Sequence, residues 1–115
     1  MKEEFKIIAN SIQKNKSILD VGCGDGELMK FIYKNISKKI RGLELSKDNV
    51  QKCIQKGLTV IEGNAETDLE HFPSNSFDYV ILSQTLQAFL NPEKVMNDLL
   101  RVGKTSIVTI PNFGF

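Results

Sequence analysis

Apolar positions recur along this chain in two alternating periods. Phe5, Ile8 and Ile12 share one face of a helix over residues 3–14. Residues 17–22 (SILDVG) form a short apolar run ending in glycine, the pattern of a buried strand. From Gly26, GELMKFIYKN puts Leu28, Met29, Phe31 and Ile32 on a helical stripe. The pair then repeats. KIRGLEL at 39–45 predicts a second strand, and Ser46 stands at the N-cap of a helix. Val50, Cys53 and Ile54 face inward from that helix, and Gly57 stops it. LTVI at 58–61 predicts a third strand, residues 67–72 a weak helical turn, and residues 73–76 a turn. FDYVILS at 77–83 is the most apolar strand. Asn91 caps a helix with Pro92 at its first position, running through Val95, Met96, Leu99, Leu100 and Val102 to Gly103. TSIVTI at 105–110, closed by Pro111, is the fifth strand.

Short buried strands alternating with helices predict an α/β fold. The expected architecture is a Rossmann-like doubly wound parallel sheet of about five strands with helices on both faces. Such a sheet carries its ligand crevice at the carboxyl ends of the strands. The chain has 115 residues, no repeats and no linker, so residues 1–115 read as a single domain.

Composition removes several function classes. Fifteen Lys and Arg stand against 14 Asp and Glu, which argues against a nucleic-acid binder or a polybasic membrane-surface protein. No apolar run approaches the roughly 20 residues of a membrane span. The amino-terminal segment carries Glu3 and Glu4 and no long apolar core, so it is not a secretory signal, and a cytoplasmic protein with free thiols is expected. Cys23 and Cys53 make neither a disulfide framework nor a metal site. Cys23 reads as a small residue under a loop, and Cys53, Met29 and Met96 as core; His71, the single histidine, reads as a surface residue.

The chemistry concentrates in Asp20-Val21-Gly22-Cys23-Gly24-Asp25-Gly26-Glu27, between a predicted strand and a predicted helix. Glycines at alternate positions let a backbone approach a ligand closely, and the following helix offers unpaired N–H groups. The spacing is not the G-x-G-x-x-G of dinucleotide folds, and the Lys-Ser/Thr of a P-loop is absent. Glu44 ends the second strand, where a carboxylate can accept from both hydroxyls of a ribose. Two acids around a glycine loop suit a ligand with an amine, a ribose and a cationic centre but no phosphate. S-adenosylmethionine has all of these. A nicotinamide-dependent dehydrogenase is disfavoured by the glycine spacing.

D-x-G-x-G-x-G followed by an acid ending strand two resembles the class I S-adenosylmethionine-dependent methyltransferases. ILDVGCGDGELM, GNAE, FPSNSFDYVILSQTLQAF and LLRVGKTSIVTIPNFG together resemble, more narrowly, the MetW family of methionine biosynthesis. The resemblance covers about residues 16–114 and implies a role beside the enzyme that acylates homoserine. It implies that Asp20 and the loop of Gly22, Cys23, Gly24 and Gly26 hold the methionine end, and that Glu44 holds the ribose. It places Asn64 and Ala65 against adenine and Ser83 near the transferable methyl. Position 64 is often Asp in this fold; the Asn amide oxygen can still accept from an amine. The class I sheet carries two further strands, and the family usually has His where Phe115 stands. No residue offers itself as a general base. The resemblance therefore implies a methyltransferase with an unspecified acceptor or, as the alternative, a non-catalytic cofactor-sensing partner of a homoserine O-acyltransferase. The uncovered edge of the fifth strand is a route to a homodimer by sheet extension.

Overall fold

The computed structural model describes residues 3–82 and 88–109. Its elements follow the order α1 (Glu3–Asn10), β1 (Ile18–Val21), α2 (Glu27–Asn35), β2 (Ile40–Glu44), α3 (Lys47–Gln55) and β3 (Thr59–Glu62). The chain continues through α4 (Ala65–Asp68), a 3₁₀ turn at Leu69–His71, β4 (Phe77–Leu82), α5 (Pro92–Val102) and β5 (Gly103–Val108). All strand pairs are parallel, in the order β3-β2-β1-β4-β5. The chain winds outward from β1 through β2 to β3, then crosses back to β4 and β5. The point of reversal lies between β1 and β4, where open α/β sheets hold their ligands.

Strand side chains alternate between two cores. Ile18, Ile40 and Ile81 pack with Phe5, Ile8 and Ile12 and with Leu28, Met29, Ile32 and Cys53 of α2 and α3. Leu19, Val21, Leu43, Val80 and Leu82 pack with Ala65, Leu69, Val95, Leu99 and Val102 on the other face. β1 is buried on both faces along its whole length, as a central parallel strand requires. The caps expected from sequence form: Ser46 Oγ accepts from Asn49 N–H at 3.3 Å and Asn91 Oδ1 from Lys94 N–H at 3.2 Å. Each such cap stabilises its helix by about 1 kcal/mol. At the amino end of the sheet, Asp78 accepts from the Ser17 N–H and hydroxyl at 3.0 and 3.1 Å. Those bonds hold the Asp78 carboxyl below its usual range and staple β1 to β4.

Several packing expectations fail for identifiable reasons. Ile54 is 52% exposed and Leu100 60% exposed, and Met96 is only half-buried. Each follows a buried residue by one position on its helix (Cys53, Leu99, Val95), which turns it about 100° off the core face. β3 is largely exposed because it forms one edge of the sheet. The last strand begins at Gly103, directly at the end of α5, rather than at Thr105. Pairing of Phe77 with Gly103 sets that register.

Gly42 lies where β2 passes beneath the glycine loop. A Cβ there would stand 2.6 Å from Cys23 Sγ and 2.7 Å from Met29 Cε, both in the core. Gly42→Ala should therefore destabilise the domain by roughly 1–3 kcal/mol, read as a lower midpoint in urea with an unchanged slope; an unchanged midpoint would refute this packing.

Candidate functional site

Parallel pairing brings the carboxyl ends of β1, β2 and β3 to one side of the sheet. The loop after β1 folds over the end of β2, with Gly22 and Cys23 N–H donating to Leu43 O at 2.7 and 3.3 Å. Gly22, Gly24 and Gly26 all take left-handed backbone, with φ of 70°, 61° and 88°, which L side chains rarely adopt. Nothing lies within 4 Å of where a Gly24 Cβ would be, so that glycine serves conformation and leaves open space above the loop.

Glu44 fixes the loop from below. Its Oε1 accepts from Gly24 N–H at 2.8 Å and its Oε2 from Ser46 N–H at 3.0 Å. One carboxylate thus sets both the glycine loop and the start of α3. A carboxylate has about four acceptor positions, so both oxygens retain capacity for further donors. Asp20 contrasts with it. It is completely buried, and neither of its oxygens has a hydrogen-bond partner among the described residues. Burial, and then the nearby Glu44 charge, push its carboxyl up to about 7. Cys23 and Cys53 lie beside it with Sγ atoms 3.9 Å apart, and Cys53 donates to Gly24 O at 3.3 Å. Burial raises both thiols above their ordinary range, so they are packing groups rather than nucleophiles.

In front of Glu44 is a cleft of about 410 Å³, lined by residues 22, 43–46, 63–66, 88 and 89. Its size suits a small-molecule site. Asn64 and Ala65 form one wall. Asn64 caps α4, with Oδ1 accepting from Glu66 N–H at 2.9 Å, while its own N–H donates to Asp68 Oδ2 at 2.7 Å. Ala65 is the first residue of α4, so its N–H has no acceptor within the helix. No Lys or Arg lines the cleft among the described residues, whereas Glu44 and Glu66 do.

The profile described as "Methionine biosynthesis protein MetW" matches residues 2–115. The chain belongs to the MetW family. A curated relative, "Bifunctional methionine biosynthesis protein MetXA/MetW" of Rhodopirellula baltica, is 34% identical over 116 residues, which cover 94% of this chain and 19% of that protein. The fold matches a putative S-adenosyl-L-methionine-dependent methyltransferase from Methanococcus maripaludis, with TM-score 0.78, 16% identity, and coverage of 91% of this chain and 52% of that one. It also matches the [4+2]-cyclase SpnF, with TM-score 0.76, 23% identity, and coverage of 87% and 40%. The MetW chain therefore has the Rossmann-like fold of class I methyltransferases and spans about half or less of each of these proteins.

Of the residues singled out in the MetW sequence, Gly22, Glu44, Asn64 and Ala65 line the cleft. Gly24 and Gly26 shape the loop, while Asp20 and Cys23 are buried beneath it. Ser83 lies outside the described residues. His71 is exposed, as expected. Sequence reasoning missed Glu66, Ala88 and Phe89. Glu66 is the last residue of the GNAE segment, whose first three residues all line the cleft.

The folded state binds the Asp20 proton more tightly than the unfolded chain, whose carboxyl titrates near 3.8. Stability from this group is therefore full below that value and is lost as pH rises through about 7. Wild-type urea stability should fall by a few kcal/mol across that window, and Asp20→Asn should flatten the fall. Parallel curves for the two proteins would show that Asp20 is not the titrating group.

Proposed function

We propose that the cleft binds S-adenosylmethionine, with methyl transfer to an acceptor as the activity. The observation that carries this reading is Asp20, a buried carboxylate beneath an open glycine loop with no hydrogen-bond partner among the described residues. Once ionised, such a group is stabilised by a donor or a cation from outside. The cleft agrees with a ligand that is cationic and carries a ribose but no phosphate, because acids line it and, among the described residues, no Lys or Arg does. Asp20 and the Gly22–Gly26 loop hold the methionine end in this reading. The free acceptor positions on Glu44 take the ribose hydroxyls, and the Ala65 N–H and Asn64 amide face the adenine.

When bound, S-adenosylmethionine supplies an electrophilic methyl on a sulfonium that leaves without protonation. The chain's task is then positioning rather than acid–base work. Glu44 suits that task because its own geometry is already fixed by two backbone donors.

A second reading is favoured by the fused relative, whose name joins a MetXA portion to a MetW portion. The chain would then be a cofactor-sensing partner of a homoserine O-acyltransferase. Fusion of two activities in one polypeptide supports their association when separate, and acylation of homoserine needs no methyl donor.

Calorimetric titration with S-adenosylhomocysteine tests what both readings share. Micromolar binding is expected, weakened at least about tenfold in Glu44→Gln and weakened in Asp20→Asn. A folded chain that binds nothing would refute the assignment. Label transfer from methyl-labelled S-adenosylmethionine to a cell-extract component supports the first reading. Co-purification with a homoserine acyltransferase without transfer supports the second.

A further inference from the structure

Glu66 lines the cleft, yet its carboxylate is occupied elsewhere. Oε1 accepts from Leu90 N–H at 3.0 Å and Oε2 from Asn91 N–H at 2.9 Å. Those two residues follow Ala88 and Phe89, which line the cleft together with Asn64 and Ala65. Asn91 is also the N-cap of α5, so the carboxylate sits at the positive end of an 11-residue helix. Lys94, one turn into that helix, completes the junction. Its Nζ donates to Glu66 O at 2.7 Å and pairs with Asp98 at 3.2 Å.

We propose that Glu66 is a positioning residue that, through its two bonds to Leu90 and Asn91, holds the Ala88–Phe89 segment in place as part of the lining of the cleft. The inference rests on the reading of that cleft as a nucleoside site. The opposite end of α5 is secured independently. Arg101 donates to Phe72 O at 2.7 Å and Leu69 O at 3.0 Å, and Asn75 N–H donates to Arg101 O at 2.8 Å. Loss of Glu66 therefore frees the Ala88–Phe89 segment without undocking the helix. The Leu90 and Asn91 N–H groups lie in exposed residues, so water can replace the carboxylate and the domain still folds.

The test combines amide exchange with titration of the full chain by S-adenosylhomocysteine. In Glu66→Ala, exchange at Leu90 and Asn91 should accelerate and affinity should fall about tenfold. Glu66→Gln keeps one carbonyl acceptor and should recover part of both. Arg101→Met should lower thermal stability while leaving affinity within about twofold. That split is one a merely structural role of Glu66 would not produce. Unchanged exchange in Glu66→Ala would overturn the latch. Faster exchange with unchanged affinity would overturn its link to the cleft. If the unsubstituted chain itself binds no S-adenosylhomocysteine, the nucleoside reading fails and takes this proposal with it.

Discussion

The arrangement depends on two carboxylates at the ends of neighbouring parallel strands. Glu44 accepts from the backbone at Gly24 and Ser46, so it is a fixed acceptor that ties two loops together. Asp20, one strand away, has the same chemistry but no hydrogen-bond partner among the described residues. A carboxylate in that state costs stability, because a buried polar group without a partner forfeits its hydration. The glycine loop accommodates the contrast. Its left-handed residues turn the chain back over the end of β2 and aim the Gly24 N–H at Glu44. The Gly42 position beneath lets Cys23 and Met29 pack close under that turn.

Much of this was legible in the sequence because it is local. The period of apolar residues, the caps at Ser46 and Asn91, and the glycines before α2 each act within a few positions. The end of β2 follows from the same pattern, which is why Glu44 could be placed in the cleft. Sequence could not show contacts made across the chain. Glu66 meets Leu90 and Asn91, which lie on another element, and no local signal joins them. The same limit explains β3, whose residues look like a core strand but lie at an edge. Edge or centre is decided by strand order, which the pattern of one strand does not contain. Ile54 fails for a smaller reason: one step along a helix is enough to carry an apolar side chain from the core to water.

The cleft's electrostatics narrow its ligands more than its shape does. Many nucleotide sites meet their ligand with helix N-termini and a basic side chain. Here a glycine loop leads into α2, but Glu27 stands in the first helical turn and acids line the space ahead. A phosphate would meet repulsion where a sulfonium and an ammonium would meet attraction. Asp20 adds that a neutral ligand would leave its carboxyl protonated near neutrality, whereas a cation would favour the ionised form. Charge therefore selects at two depths, at the cleft surface and beneath the loop.

Cofactor recognition and methyl transfer are separable in this architecture. The residues proposed to meet the cofactor lie on β1, the loop after it, β2 and α4, and would serve a sensor or a transferase alike. The shared fold does not decide between them, since a [4+2]-cyclase has the same core. What decides is the side of the cleft that an acceptor or a partner protein would approach. In the proposed reading that side includes Ala88 and Phe89, next to the Leu90 and Asn91 N–H groups that Glu66 accepts from at the amino end of α5. A contact that moved α5 would move the Ala88–Phe89 segment, and through Glu66 it would be felt at α4, where the proposed reading puts the adenine. The same junction could thus order an acceptor site in an enzyme or report occupancy to a partner.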